Sequence, residues 1–512
     1  LVAFNPVLVH FATQRLDATP SLVLFLAGLA CLRLDQPSPR PWNAIGASVC
    51  WALAALVRPQ LLVVWLLLPV LWIWRRRPQA GLAVAFGAMA VGGGLFAALG
   101  LWQQNLSGRF RIMPTQGAYN LWSANQPGTQ GRYYFQTVDL SHPGRSDNPA
   151  KLESIALYQR ETGNTGAGID GMNAYWHQRF MSRITQHPAA WLGLLVRKTY
   201  TLLNDWEQYN NKTYAFHKAR SPLLRWNPLG WGMMLVLGVA GAGRLQARNP
   251  FTARAAGLIA VTYAAGVVLF YVSARFRLPL AALLCILAGG ALARPGFWRD
   301  PAPGRPLLLL SLMLVAGVVT FSSFDGVRDA RPMVQDHLLV ARAAQVTGDD
   351  DEVWQHAQSA LALDPGRRDA DEFVVTSGFN RQLTGDLSPA DLAAWHASTR
   401  RLLAQGGTAG PAARVIAAAT EHDASALRAL IQDPGIQASD ALGALELFHA
   451  AGAAETARLR AAPWNSGSTL FLMARQAVDP AGFAAWAREH QSQGWNDALT
   501  VVRRRLFPDG VK

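Results

Sequence analysis

The chain has 512 residues, of which 51% are hydrophobic and only 16% are charged. Soluble proteins usually carry about a quarter charged residues, so this composition argues against a wholly cytosolic protein. The net charge of +14 is unevenly divided, because residues up to Phe324 contain 29 Lys/Arg and 10 Asp/Glu, whereas the rest contain 18 and 23. The basic excess lies between apolar runs, which is typical of membrane topology. We therefore expect no nucleic-acid partner.

Apolar runs that approach the roughly 20 residues of a membrane span recur through the first part of the chain. They cover residues 19–34, 42–57, 59–74, 79–102, 226–243, 255–273, 278–293 and 305–322. Pro59 must end one helix and begin the next, so it predicts a tight hairpin. The sequence thus predicts an all-α fold: a polytopic membrane bundle of about eight spans at 1–324, with an inserted loop at 103–225, and a soluble helical domain at 325–512.

The charges between the runs predict the orientation of this bundle. Every second connection carries arginines and should be cytoplasmic. These arginines are Arg33, Arg40, Arg75, Arg76, Arg77, Arg244, Arg248, Arg254, Arg294, Arg299 and Arg305. The alternation holds over all eight runs, and it predicts that the 103–225 loop and the C-terminal domain face outward.

Four ionisable residues gather on the predicted outward side: Asp17, Arg58, Arg275 and Arg277. For one isolated arginine, anchoring a helix end at the lipid headgroups is the more common role. Three arginines and a carboxylate on one face instead favour a functional site, since charges near the membrane boundary are costly unless paired. Arginine can hold two phosphate oxygens at once, so this cluster predicts a phosphate site.

The 103–225 loop is too long for a simple connection and should be structured. Its stretch 116–131 is rich in Gly, Asn and aromatic residues, which suits contact with sugar hydroxyls, although a plain surface loop explains it equally well. Residues 170–184 predict an amphipathic helix, and 188–207 is apolar enough to lie at the membrane interface. Within that segment, Lys198 either anchors at the headgroups or contacts a phosphate.

Several short motifs follow one another through the first part of the chain. They are Tyr119-Asn120, Ser123-Ala-Asn125 with Gly131, Pro188-x-x-Trp191, Arg197-Lys198, Glu207-x-x-Asn210-Asn211 and Ser273-Ala-Arg275-Phe-Arg277-Leu-Pro279. With Asp17 and Arg58-Pro59, they make residues 1–324 similar to the bacterial membrane glycosyltransferases of family 39, relatives of protein O-mannosyltransferases and lipid A aminoarabinose transferases. Each motif is short, and the resemblance depends on their order and spacing together.

The resemblance implies the GT-C architecture and a reaction at the periplasmic face of the bacterial inner membrane. A sugar would pass, with inversion, from a polyprenyl-phosphate donor to a hydroxyl of a glycan, lipid or protein. Fixed cations would stabilise the phosphate leaving group, and a carboxylate would deprotonate the acceptor. The residues expected at the donor phosphate are Arg58, Lys198, Arg275 and Arg277, and those expected at the sugar or acceptor are Tyr119, Asn120, Asn125, Glu207 and Asn210.

One departure from the family concerns the catalytic base. The family's principal acidic base lies in a first outward loop, and about three spans are expected upstream of Leu1. Asp17 is therefore expected to be a secondary acid that orients the acceptor or an arginine, or else a helix N-cap. No metal ligand is predicted, and a divalent metal stays open because related transferases differ in needing one. Membrane lipid and the polyprenyl-linked sugar are the expected partners.

From Arg331 the pattern changes to soluble amphipathic helices. Residues 341–365 resemble one tetratricopeptide repeat, with Gly348 at the turn and Pro365 after the second helix. The acidic run 349–352 favours a helix N-terminus over a metal site. Such a domain suggests docking of a periplasmic protein or glycan. It also leaves open an alternative function, that of a non-catalytic membrane scaffold whose helical domain recruits partners.

Overall fold

Helices form the regular secondary structure of the protein in its computed structural model. The structure describes residues 1–14, 17–34, 36, 40–75, 78–112, 116–126, 128–129, 131, 149–209, 213–293, 306–384, 387–405, 410–421, 423–433, 441, 443–444, 447, 451–462 and 469–489. No strand occurs among these residues, which confirms the predicted all-α fold. The chain divides into two compact units, Leu1–Asp329 and Ala330–Lys512, each with its own hydrophobic core.

The helices of the first unit are numbered in chain order. Proline begins several of them, because a helix start leaves amide hydrogens unpaired and proline has none to lose. They are α1 (Pro6–Ala12), α2 (Ala18–Leu32), α3 (Pro41–Val57), α4 (Leu62–Leu66), α5 (Leu68–Arg75), α6 (Pro78–Ser107), α7 (Gly117–Ser123), α8 (Pro149–Thr162), α9 (Ile169–Gln186), α10 (Pro188–Leu203), α11 (Tyr214–Arg220), α12 (Pro222–Arg225), α13 (Trp231–Arg248), α14 (Pro250–Phe270), α15 (Ala274–Leu292) and α16 (Pro306–Phe321).

Three of these helices are long and apolar enough to cross a membrane: Gly81–Ser107, Pro250–Phe270 and Ala274–Leu292. Shorter apolar helices cover Ala18–Leu32, Pro41–Val57, Pro59–Trp74 and Leu307–Phe321. A helix of about 15 residues rises roughly 22 Å, which is less than the hydrocarbon layer of roughly 30 Å. Within the described residues, the structure therefore supports three of the eight predicted spans. Of the arginines used to predict orientation, Arg76, Arg77, Arg294, Arg299 and Arg305 lie outside the described residues.

Glycine allows the close approach of α13 and α15. A Cβ atom added at Gly241 would lie 1.9 Å from the carbonyl oxygen of Leu287. Similarly, Gly28 of α2 faces Trp51 of α3, where an added Cβ would lie 2.2 Å from the indole ring. Since backbone and ring leave no room for a methyl group, these two positions set the spacing of the helices that carry the site.

Two breaks between helices position the charged residues. The helix α3 ends at Val57, and Arg58 adopts an extended backbone before Pro59 begins the next turn. After α14, residues Tyr271 and Ser273 are also extended, and the Ser273 Oγ accepts a hydrogen bond from the Phe276 amide at 3.4 Å. Serine in this position is a favourable N-cap. Consequently α15 starts only four residues after α14 ends.

The 103–225 loop has its own small core, formed by α7, α8 and α9. Trp176 is fully buried there, and its Nε1 donates to the Ser154 Oγ at 2.9 Å. The helix α9 covers the amphipathic segment predicted at 170–184. The prediction that this loop is structured is thus confirmed for its described residues.

In the second unit, successive helices pack against their neighbours along the chain. Gly348 ends α17 in the left-handed region, with a φ of 77°. The Asp349 side chain then accepts from the Glu352 amide at 2.9 Å and begins α18, which is the N-terminal role expected for the acidic run. The helices are α17 (Met333–Thr347), α18 (Asp350–Leu363), α19 (Arg368–Thr384), α20 (Pro389–Ala404), α21 (Pro411–Thr420), α22 (Ala424–Ile431), α23 (Ala453–Ala461), α24 (Thr469–Val478) and α25 (Pro480–Glu489).

Candidate functional site

Four helix ends meet at one end of the first unit. Asp17 stands just before α2 and Arg58 just after α3, while Phe270 ends α14 and Arg275 lies in the first turn of α15. Contacts among Asp17, Arg58 and Arg275 bring three of these ends together, and the short connection from Phe270 to Ala274 adds the fourth. The unit therefore presents polar and charged groups where its apolar helices stop.

Asp17 bridges two arginines that are distant from it in sequence. Its Oδ2 lies 3.2 Å from Nη2 of Arg58, and its Oδ1 lies 3.3 Å from Nη1 of Arg275. Although Asp17 directly precedes α2, its side chain makes no capping hydrogen bond to that helix. The carboxylate therefore acts as an arginine partner and not as the helix cap that its position allows. It is 38% exposed and stays accessible.

The two arginines beside Asp17 differ in burial. Arg58 is 1% exposed, and its Nη1 donates to the carbonyl oxygen of Arg275 at 2.6 Å. Arg275 is 15% exposed, and its Nε has no hydrogen-bond partner among the described residues. The centre of the Phe276 ring lies 5.2 Å from the Arg58 guanidinium and 5.5 Å from that of Arg275. Arg58 is thus enclosed by its neighbours, whereas Arg275 is the more exposed of the two cations.

Arg277 lies only two residues beyond Arg275 but belongs to another cluster, because residues i and i+2 of a helix point to different faces. Its Nη2 lies 2.7 Å from the Glu207 Oε2, and neither side chain is more than 3% exposed. Burial raises the pKa of the Glu207 carboxyl above its ordinary value, while the adjacent Arg277 charge acts against this shift. This ion pair is therefore a closed, desolvated contact.

The Arg277 guanidinium also holds the end of α10 and the segment that follows it. Its Nη1 donates to the carbonyl oxygens of Leu202, at 3.1 Å, and of Asn204. Its Nη2 donates to the carbonyl of Trp206 at 2.9 Å, and the centre of the Trp231 ring lies 4.5 Å away. Both terminal nitrogens of Arg277 thus bind protein groups.

Lys198 joins the 103–225 loop to the end of α14. Its Nζ donates to the Asn125 Oδ1 at 2.8 Å and to the carbonyl oxygen of Phe270 at 2.9 Å, and the side chain is fully buried. A cation beside the last carbonyls of a helix interacts favourably with the helix dipole. Burial lowers the pKa of Lys198 to about 7. In this conformation both hydrogen bonds of the Lys198 Nζ thus go to protein acceptors.

Three residues predicted to contact the sugar or acceptor lie apart from these clusters or outside the structure. Tyr119 is buried in the core of the loop, with ring centres 5.7 Å from Trp122 and 5.2 Å from Trp176. Asn120 is half-buried on the same helix, α7. Asn210 lies outside the described residues. The Tyr119 ring thus packs in a core and does not present a face for stacking a sugar.

The segment 270–277 links Lys198, the Asp17–Arg275 contact and the Arg277–Glu207 ion pair. Its first residue accepts from Lys198, Arg275 contacts Asp17, and Arg277 pairs with Glu207. The sequence prediction did not include Phe276, whose ring lies against two guanidinium groups, although Phe276 stands between Arg275 and Arg277 in the Ser273–Pro279 motif. It also missed Trp231, for which the sequence carries no local signal because its partner Arg277 is remote.

Comparison of the chain with protein-family models, with curated proteins and with solved structures finds no match.

Proposed function

We propose that this protein is a polytopic membrane glycosyltransferase that moves a sugar from a polyprenyl-phosphate donor to a hydroxyl acceptor. In this proposal the reaction inverts the anomeric centre and takes place at the periplasmic face of a bacterial inner membrane. The observation that supports it best is the accessible Asp17 carboxylate held between Arg58 and Arg275 where apolar helices end. Two guanidinium groups and one carboxylate leave one net positive charge for an anionic lipid headgroup.

The chemistry of sugar transfer from a lipid phosphate suits this cluster. Negative charge grows on the departing phosphate in the transition state, so a cation that is already in place lowers the barrier. Arg275 is the more exposed guanidinium, and Arg58 supports it by donating a hydrogen bond to the Arg275 carbonyl. Asp17 orients both arginines. Its side chain is 38% exposed, so an acceptor hydroxyl could reach the carboxylate.

Lys198 and Arg277 take a positioning role in the proposal instead of contacting the phosphate directly. Both are buried and bound to protein acceptors, at the two ends of the segment that carries Arg275. Glu207 and Asn125 then act through them. The proposed direct contact with the donor phosphate narrows to Arg275, and Arg58, which is 1% exposed, positions it.

The short apolar helices would complete an eight-span bundle around the three longer ones. The second unit would be a tetratricopeptide-like domain in the periplasm that docks a protein or glycan partner, since its consecutive helices pack in sequence order. The same packing favours the second candidate function, a membrane scaffold without catalytic activity.

Binding of undecaprenyl phosphate to the full chain in lipid nanodiscs tests the proposal, with uncharged undecaprenol as the matched ligand. We expect the wild type to bind the phosphate and not the alcohol. Arg275→Ala should weaken binding roughly 10- to 100-fold, because a charge-assisted hydrogen bond contributes about 1.5–3 kcal/mol. Arg254→Ala, at an exposed position on α14, is the control and should bind as the wild type does.

Equal affinity for phosphate and alcohol in the wild type would favour the scaffold function. If Arg275→Ala elutes from a sizing column as the wild type does and still binds the phosphate equally well, Arg275 is not part of the site.

A further inference from the structure

A short basic and aromatic segment lies between the 103–225 loop and α13, outside the charged clusters described above. We call residues 214–226, which comprise α11, α12 and Trp226, the elbow. Its inner face is buried through Tyr214, Phe216 and Leu224. The chain after the elbow is held in place, because the Asn227 Nδ2 donates to the carbonyl oxygen of Phe4 at 2.7 Å. The elbow is therefore a fixed part of the first unit.

The outer face of the elbow exposes large apolar side chains. Leu223 is 72% exposed and Trp226 is 79% exposed, and Phe4, whose carbonyl binds Asn227, is 70% exposed. Each such side chain would contribute roughly 1.5–3 kcal/mol of favourable free energy if it were buried, and this contribution is lost when it is exposed to water. Soluble surfaces rarely gather them at one place unless something covers them.

The charges of the elbow indicate what covers it. Residues 214–230 contain Lys218, Arg220 and Arg225 but no Asp or Glu. The Arg225 guanidinium lies 5.7 Å from the centre of the exposed Trp226 ring, whereas that of Arg220 lies 4.2 Å from the centre of the buried Phe216 ring. Basic groups beside exposed aromatic and aliphatic side chains are typical of helices that lie at the surface of anionic membranes. A second copy of this chain would oppose like charges at the same surface.

The position of the elbow agrees with a lipid partner. Trp231 begins α13 five residues after Trp226, and its ring lies 4.5 Å from Arg277 in the first turn of α15. Since α15 is one of the three helices able to cross a membrane, its first turn marks the level at which the chain would enter the bilayer. We propose that the elbow lies in the headgroup layer of an anionic bilayer, with Leu223 and Trp226 among the acyl chains and Arg225 at the lipid phosphates.

The depth of residue 226 in a bilayer tests this proposal. A nitroxide is attached to Trp226→Cys in a full-length chain whose three cysteines are replaced by alanine, and the protein is reconstituted in phosphatidylglycerol vesicles. We expect the label to collide severalfold more often with oxygen than with a water-soluble nickel chelate. A label on Val346→Cys, at an exposed position of α17, should show the opposite preference.

A label at 226 that is as accessible to nickel as the one at 346 would overturn the proposal. Dipolar broadening between labels on two chains would also overturn it, in favour of a second copy. Arg225→Glu should move the label toward water in phosphatidylglycerol but not in phosphatidylcholine, and an unchanged depth in phosphatidylglycerol would contradict the phosphate contact.

A second measurement covers the case in which the cysteine-free chain does not fold. In the chain with its native cysteines, brominated lipids should quench less of the total tryptophan fluorescence in Trp226→Phe than in the wild type. Trp176→Phe is the control, because Trp176 is fully buried in the loop core. Equal quenching in Trp226→Phe and the wild type would count against the elbow as a lipid contact.

Discussion

Arg277 and Glu207 form an ion pair of 2.7 Å that is almost completely removed from solvent. The pair connects α15 to the segment after α10, and the same guanidinium binds two backbone carbonyls of that segment and the carbonyl of Leu202 at the end of α10. Taking two charges out of water is costly, so a buried pair of this kind is sustained by its geometry and its additional hydrogen bonds. Loss of either charge should therefore affect folding before it affects any reaction.

We expect Arg277→Ala to lower the free energy of unfolding by about 3–5 kcal/mol, because Glu207 would remain as a buried charge without its partner. Glu207→Gln should cost less, since the guanidinium keeps its carbonyl acceptors. Denaturant titration of the detergent-solubilised protein measures both values. The control is Arg254→Ala, whose side chain is exposed. If Arg277→Ala were as mild as this control, the ion pair would not be structural.

Lys198 should make stability depend on pH in the alkaline range. Burial lowers its pKa from 10.5 to about 7, so between these values the unfolded chain binds a proton that the folded chain has released. Stability should then rise with pH by up to about 1.4 kcal/mol per unit, and it should fall as the pH drops toward 7. The measurement is the difference in free energy of unfolding between wild type and Lys198→Met from pH 7 to 10. Parallel curves for the two proteins would contradict the lowered pKa.

Gly131 should be less tolerant of a side chain than Gly128. Both have a positive φ, of 73° and 85°, so alanine at either position should cost about 1–2 kcal/mol. At Gly131 an added Cβ would also lie 2.3 Å from the Lys198 Cγ, whereas at Gly128 it would meet nothing within 4 Å. We therefore expect Gly131→Ala to unfold at a lower temperature than Gly128→Ala.

The contact between Gly131 and Lys198 can be isolated with a double variant. Lys198→Ala should remove the steric part of the Gly131→Ala effect, so the losses in the double variant should be less than additive. Additive losses would show that the two residues do not interact.

Gly241 should be required for the approach of α13 to α15. An added methyl group would meet the carbonyl oxygen of Leu287, which cannot rotate away, so Gly241→Ala should destabilise the protein by about 1–3 kcal/mol. Gly257→Ala on α14 is the matched control, since nothing lies within 4 Å of its added Cβ and alanine favours helix. Thermal unfolding in detergent compares the two variants, and an equal effect at both positions would argue against close packing at Gly241.

Local features of the chain could be predicted because their causes lie in neighbouring residues. Hydrophobic periodicity predicted the helix that the structure has at Ile169–Gln186, and Pro59 predicted the break after Val57. The number of spans was harder to predict, because an apolar run and a helix need not have the same length. The run at 19–34 becomes a helix of 15 residues, Ala18–Leu32.

The grouping of the charged residues shows where prediction from sequence stops. Arg275 and Arg277 stand together in one motif, but the helical period sends them to different partners, Asp17 and Glu207. That separation follows from the spacing alone once a helix is assumed to begin at Ala274. The identity of the two partners does not follow from it.

By itself, the sequence determined that this protein is helical, that its first part is apolar and basic, and that charged residues stand where apolar helices end. The tertiary structure decided which of those residues meet, because their contacts join positions far apart in the chain. Arg58 reaches the carbonyl of Arg275 across 217 positions, and Lys198 reaches that of Phe270 across 72. Hydrophobicity and proline act on adjacent residues, whereas ion pairs form only after packing has brought distant helix ends together.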